Sequence, residues 1–222
     1  MNASGRLQQR RNSVLSRAYL VYRALWPPLA AAAQIATAEC GASGPPLVVD
    51  VGCGERPYAD FFEGAYYVGL NYGMDDASPD IVGDAQQLPL KSNCADIVFS
   101  TQVIEHVPHP EKLVREAFRV LKPRGVLLLT GPFYWPLHEE PHDFYRFTRY
   151  GFEHLLVSAG FEVMSIRGDA GAVTQAAVAL IEVLPRSLLF LVPVINLVTP
   201  LLQRFSRNEK STLNYITLAK KP

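Results

Sequence analysis

The sequence predicts an α/β fold built on a mostly parallel sheet with helices on both faces. Three observations carry this. Short apolar runs alternate with helical patterns through the middle of the chain, as crossover-linked strands require. The first such run opens directly onto a glycine turn. A last apolar run returns only after a long apolar insertion.

The elements follow in order. Residues 47–51 read as a buried strand, 66–70 as a second, 80–82 as a short third at an edge and 95–100 as a fourth. Residues 110–121 form an amphipathic helix through Leu113, Ala117, Val120 and Leu121, stopped by Lys122, Pro123, Arg124 and Gly125. Residues 125–130 are the fifth and most apolar strand, 152–159 a helix ended by Gly160, 161–167 a sixth strand and 213–219 the last.

A length of 222 residues fits one domain with small additions, and a hydrophobic share of 49% supports a sizeable core. Lys plus Arg equals Asp plus Glu at 21 each, so no large field favours nucleic acid. Cys40, Cys53 and Cys94 are odd in number and unpatterned, which points to a reduced, cytoplasmic setting without a metal knuckle. Residues 1–38 hold Arg6, Arg10, Arg11, Arg17 and Arg23 and no acid. A transit peptide has that composition. The spacing of Val14, Leu15, Ala18, Tyr19, Tyr22 and Leu25 favours a basic cap helix over residues 1–42, with the main domain at 43–222.

Residues 170–203 carry only two charges, Glu182 and Arg186. The uncharged run 187–203 is short for a membrane span and is broken by Pro193 and Pro200. Three placements stay open for the insertion, taken as 170–207: a helical pair packed on the domain or in a homodimer interface, a hairpin dipping into one membrane leaflet, or a lid over an apolar acceptor.

The chemistry begins at Asp50-Val51-Gly52-Cys53-Gly54. Open parallel sheets bind ligands at the carboxyl ends of their strands, and glycines there let a ligand approach the backbone. The continuation Glu55-Arg56-Pro57 lacks the third glycine that a dinucleotide site uses. Asp50 would repel phosphate and suits a cation.

Together with Tyr67-Val68-Gly69-Leu70-Asn71, Gly83-Asp84-Ala85, Ala95-Asp96-Ile97-Val98-Phe99-Ser100, Val103-Ile104-Glu105-His106-Val107 and Val120-Leu121-Lys122-Pro123-Arg124-Gly125, this motif resembles the class I S-adenosylmethionine-dependent methyltransferases, in the small-molecule, type 11-like branch. The resemblance implies a Rossmann-like seven-stranded sheet, its last strand antiparallel and paired with the sixth, with the apolar insertion before it. It implies S-adenosylmethionine as cofactor. Gly52, Cys53 and Gly54 would line its amino-acid end with Asp50 nearby, and Asn71 would hold the ribose where the family usually has an acid. Tyr72 would share that work, Asp84, Ala85 and Gln86 would meet the adenine, and Thr101 and Gln102 would pass under the methionine moiety. For Asp84 and Gln86 a plain turn is the alternative.

Residues 131–150, GPFYWPLHEEPHDFYRFTRY, follow the fifth strand and mix histidines, acids, arginines and aromatics too densely for packing alone. A hydroxyl acceptor needs a positioned base. His142 is the first candidate, oriented by Asp143 or Glu139; His106 and His138 are the others. Trp135, Glu139, Tyr145 and Arg146 would bind the acceptor, although Arg146 could instead pair with Asp143. The string from Pro141 to Thr148 resembles a subgroup of these methyltransferases linked to glycan chemistry. A sugar hydroxyl is the favoured acceptor, because the aromatic and His/Asp/Arg-rich loop could stack on a ring and abstract a proton; a lipid or quinone-type molecule is second, favoured by the apolar insertion and the basic N-terminus, with peripheral membrane contact through 170–203 accompanying it. A metal is left out, because adjacent residues seldom point the same way and no separated third ligand stands out. A catalytically silent binding module and a dinucleotide oxidoreductase are the rival classes.

Overall fold

The computed structural model describes residues 13–73, 78–206 and 210–222; Arg6, Arg10, Arg11 and the insertion's last residue, 207, lie outside them. One seven-stranded sheet holds the molecule together, in the order β3-β2-β1-β4-β5-β7-β6. Its strands are β1 (Leu47–Val51), β2 (Tyr66–Asn71), β3 (Ile81–Val82), β4 (Ala95–Thr101), β5 (Leu121–Pro132), β6 (Glu162–Gly168) and β7 (Asn214–Lys220). The first five are parallel, and β7 runs antiparallel to both neighbours. The last strand thus pairs with the sixth as expected and also with β5, lying between them. Its residues are buried almost throughout, which suits a central position.

β5 alternates between the two faces of the sheet. Val126 and Leu128 pack under α1 (Tyr19–Glu39) with Leu29, Ala32, Ala33 and Ala36. Leu127 and Leu129 pack under α2 (Pro110–Val120) and α3 (Arg149–Ser158), with Leu113, Ala117, Phe152 and Leu156. The small alanines of α1 let that helix lie close to the sheet. Helix α1 begins later than its apolar spacing predicts: Leu15 is 72% exposed, and the buried stripe runs from Leu20 to Ala36. Helix α3 begins three residues earlier than its apolar pattern, because the Thr148 hydroxyl accepts from Gly151 N at 3.0 Å and caps it.

β5 also starts earlier than predicted. Its register with β4 jumps from Ala95↔Leu121 to Ile97↔Val126, so residues 122–125 loop out of the ladder rather than preceding it. Lys122 Nζ reaches Asp96 Oδ1 at 2.8 Å, while Asp96 Oδ2 accepts from Leu47 N at 2.8 Å. One buried carboxylate therefore ties the starts of β1, β4 and β5.

The insertion is a helical pair, α4 (Ala172–Val183) and α5 (Val192–Gln203), joined through a 3₁₀ segment at Arg186–Leu191. Val178, Ile181 and Val192 pack on Leu20 and Leu213. Arg17 donates to the Ile181 and Glu182 carbonyls, and Asn196 Nδ2 donates to the Val14 and Ser16 carbonyls. The outer face is bare: Leu180, Phe190, Val194, Leu197, Leu201 and Phe205 are exposed. Arg186–Gln203 is long and apolar enough to cross a membrane by length and composition, and only 17% of it is buried.

Candidate active site

The carboxyl end of β1 turns on Gly52 (φ +78°) and Gly54 (φ +48°), left-handed conformations that glycine alone adopts without strain. At Gly52 a Cβ would also run into Val103 Cγ2, whereas at Gly54 it would meet open space. Gly52 N and Cys53 N both donate to the Leu70 carbonyl, at 2.7 and 3.1 Å, and Gly54 N donates to Asn71 Oδ1 at 3.2 Å. Asn71 thus spends its oxygen on holding the turn. Tyr72 lies just beyond it, 82% exposed.

Asp50 is 1% exposed. Its Oδ2 accepts from the Tyr67 hydroxyl, and its Oδ1 is buried without a partner. Burial pushes its pKa up to about 7, against the Tyr67 hydrogen bond and the Arg56 charge. An orphaned carboxylate oxygen beside an open glycine turn fits a ligand that brings positive charge, as the amino group and sulfonium of S-adenosylmethionine do. Tyr67 was not singled out from sequence; only the parallel register of β1 and β2 brings it to Asp50.

Asp84 accepts from Gln86 N at 2.8 Å, and Gln86 Nε2 lies 3.3 Å from both its oxygens. The carboxylate is therefore engaged in its own turn, with Ala85 packed against the core, and Gln86 Oε1 is buried without a partner. Beyond β4, Gln102 adopts φ +56°. Its N donates to Thr130 Oγ1 at 3.2 Å, and that hydroxyl donates to Thr101 Oγ1 at 2.9 Å.

The loop after β5 is organised around Asp143, whose side chain is 1% exposed. Arg146 binds it twice, at 2.6 and 2.7 Å, and His138 N donates to it at 3.0 Å. The Arg146 guanidinium holds the carboxyl far below the usual range. This bears on two alternatives that the sequence leaves open. Asp143 orients His138 (Nδ1 at 3.2 Å) rather than His142. Arg146 braces the loop, donating also to the Trp135 and Pro136 carbonyls, and so is not left for an acceptor anion. The His142 side chain is exposed, and its carbonyl receives His106 Nδ1 at 2.8 Å. Tyr145 donates to the Pro108 carbonyl, and Trp135 packs with Tyr134 at the root of the helical pair.

Sequence reasoning passed over Glu105. It is fully buried, and both carboxylate oxygens lack partners. Its backbone carbonyl accepts from Phe144 N and Tyr145 N, which docks the loop. Burial pushes its pKa up to about 8. The side chains of Glu105, His106 and His138 meet here, and Glu139 Oε2 lies 3.8 Å from His106 Nε2. The only signal in the sequence was its place beside His106 in the post-β4 motif. A cavity of about 1090 Å³ lies elsewhere, lined by Arg23, Arg149, Arg167 and Gln203 among others; neither the glycine turn nor the Glu105 cluster borders it.

Comparison with known proteins agrees with this geometry. Residues 49–129 match the methyltransferase domain family. The chain is 32% identical over 140 residues to a Mycolicibacterium smegmatis protein named a probable S-adenosylmethionine-dependent methyltransferase, covering 54% of each. It is 47% identical over 49 residues to the mitochondrial 2-methoxy-6-polyprenyl-1,4-benzoquinol methylase of Caenorhabditis elegans, covering 22% of this chain and 17% of that one. The chain thus spans about half or less of the curated relatives it matches. The structure of an S-adenosylmethionine-dependent methyltransferase from Mesorhizobium loti superposes with a TM-score of 0.58 at 17% identity, covering 91% of this chain and all of that one. Residues 49–129 thus match a methyltransferase domain, and the fold around them is shared with solved S-adenosylmethionine-dependent methyltransferases.

Proposed function

We propose that the chain transfers a methyl group from S-adenosylmethionine to a hydroxyl of a small, lipid-soluble acceptor. The buried, half-partnered Asp50 at the open glycine turn carries the cofactor part of this reading. S-adenosylmethionine supplies a methyl group bonded to a sulfonium sulfur, and the protein's work is alignment and proton removal. Asp50 would face the positive end, the Gly52–Gly54 backbone would lie along it with Asn71 bracing the turn, and the Thr101–Gln102 bend would close the floor. The acceptor oxygen forms its bond to the methyl carbon as the carbon–sulfur bond breaks. The electron pair would stay on sulfur, and the hydroxyl proton would be lost to solvent beside the Glu105–His106–His138 cluster.

The lipid-soluble acceptor rests on one observation. The acceptor loop is joined by Tyr134 and Trp135 to the root of a helical pair whose outer face exposes Phe190, Leu197 and Leu201. Apolar surface of that kind suits contact with a membrane leaflet, where such a molecule is found, and the matched benzoquinol methylase is named for a prenylated ring. A sugar hydroxyl is the second reading, favoured by the exposed His142, Phe144 and Tyr145. Incubation with methyl-labelled S-adenosylmethionine and a cell extract decides between them. Label in the organic phase is expected; label confined to aqueous carbohydrate would replace the acceptor, and no transfer to any fraction would overturn the reading.

A further inference from the structure

We propose that Glu105, His106 and His138 form a binding site for one divalent metal ion. A ligand atom of each lies within 4.8 Å of those of the others, so small side-chain rotations would bring all three onto one ion with bonds of about 2.0–2.2 Å. The hydrogen bonds around the cluster leave the required lone pairs free. His106 Nδ1 stands 2.8 Å from the His142 carbonyl. A carbonyl only accepts, so Nδ1 carries the proton and Nε2 presents its lone pair. His138 Nδ1 has two acceptors at 3.2 Å, Asp143 Oδ2 and the Pro136 carbonyl, and one donor farther off, Arg146 Nη2 at 3.4 Å. It too is the protonated nitrogen, which frees Nε2. An imidazole held from behind by a carboxylate or carbonyl is the usual support of a metal-ligating histidine.

Glu105 is the second, independent observation. A fully buried carboxylate with neither oxygen hydrogen-bonded is costly unless something supplies positive charge. Its Oε1 lies 3.9 Å from His106 Nε2, which aims it into the cluster. The Arg146 charge acts on Glu105 and lowers its pKa, but Arg146 gives it no hydrogen bond, because both its terminal nitrogens are bound to Asp143. Exposed Glu139, whose Oε2 lies 3.8 Å from His106 Nε2, is the candidate for a fourth ligand. Two imidazoles and a carboxylate suit a borderline ion such as Zn²⁺, Mn²⁺, Fe²⁺ or Co²⁺ rather than Ca²⁺. Where the methyl-transfer reading holds, on which this role rests, such an ion would lower the pKa of the acceptor hydroxyl and ease its proton loss to solvent.

The test uses the full chain, stripped with chelator and dialysed against Co²⁺. One Co²⁺ per chain is expected, with a visible ligand-field absorption. Affinity should fall by about 10- to 100-fold or more in His138→Ala and Glu105→Gln, and by less than about threefold in His142→Ala. S-adenosylmethionine affinity, measured on the same samples, should stay within about threefold of wild type. Absence of stoichiometric binding at about 100 μM Co²⁺ overturns the site, as does binding unchanged in both ligand variants. Should a variant lose cofactor binding too, the wild-type spectrum decides: visible ligand-field bands without the near-ultraviolet charge-transfer band of Co²⁺–thiolate ligation support the site, and bands that come with it overturn the site. Methyl transfer by metal-free protein would leave the proposed function standing and remove the ion from it. Co²⁺ bound without any cofactor binding would do the reverse.

Discussion

The glycine turn after β1 and the loop after β5 sit at the same edge of the sheet, yet they are built by opposite means. The turn is held by backbone: Gly52 N and Cys53 N on the Leu70 carbonyl, with one side chain, Asn71, on Gly54. The loop is held by side chains: Arg146 on Asp143 and on the Trp135, Pro136 and Tyr145 carbonyls, with His138 against the same carboxylate. Backbone-built sites depend on glycine and on φ angles; side-chain-built sites depend on charge. The two halves should therefore fail separately, and to different insults.

The largest effect is expected at the turn. Gly52→Arg places a side chain at φ +78° and against Val103. S-adenosylmethionine affinity should fall by about 100-fold or more, since backbone strain and overpacking each cost about 1–3 kcal/mol. Calorimetric affinity unchanged in that variant would remove the turn as the cofactor site.

Asp143→Asn comes next and should strike the loop alone. Breaking the Arg146 pair costs about 2–3 kcal/mol, at or below the lower end for a buried pair because Arg146 keeps 24% of its side chain in solvent. A drop of several degrees in melting temperature is expected, with cofactor affinity within about threefold of wild type. An equal loss of cofactor affinity would show that the two halves are one cooperative unit.

A third prediction sharpens the contrast through pH. The Asp50 carboxyl is raised from 3.8 to about 7 by burial. The folded, cofactor-free protein therefore holds a proton there that the unfolded chain releases near 3.8, and this group's contribution to stability declines as pH rises from about 3.8 to 7. A cationic ligand favours the ionised form, so affinity for S-adenosylmethionine should increase as pH rises through about 7. Tyr67→Phe removes the hydrogen bond that lowers Asp50, moving that transition to higher pH and weakening binding at pH 7 by several-fold. Affinity flat between pH 5.5 and 8.5 in wild type would detach Asp50 from the ligand.

The smallest effect is expected on the outer face of the helical pair. Leu197→Ser should leave stability within about 0.5 kcal/mol, because the side chain is already exposed. It should reduce sedimentation with lipid vesicles if that face meets a membrane; vesicle binding unchanged in Leu197→Ser and Leu201→Ser together would separate the hairpin from lipid.

Much of the first half of the site was legible in the sequence. Asp50, Gly52 and Gly54 are local: a strand, a carboxylate and a turn follow one another in the chain, and glycine spacing reports backbone conformation directly. The alternation of Val126, Leu127, Leu128 and Leu129 likewise gave β5 its two buried faces. What could not be read were the partnerships across strands and loops. Tyr67 meets Asp50 because β2 pairs beside β1 in one register. Asp143 chooses Arg146 and His138 over His142 because the loop folds back on itself between Trp135 and Arg146. Glu105 joins His138 because the loop after β5 docks on the post-β4 segment through the Glu105 carbonyl. The sequence by itself determined the strand order along the chain, the glycine turn and the helix faces, since these follow from short-range sterics and the periodicity of burial. Only the tertiary structure decided which charges meet, because a charge pairs with whatever long-range packing brings within about 4 Å.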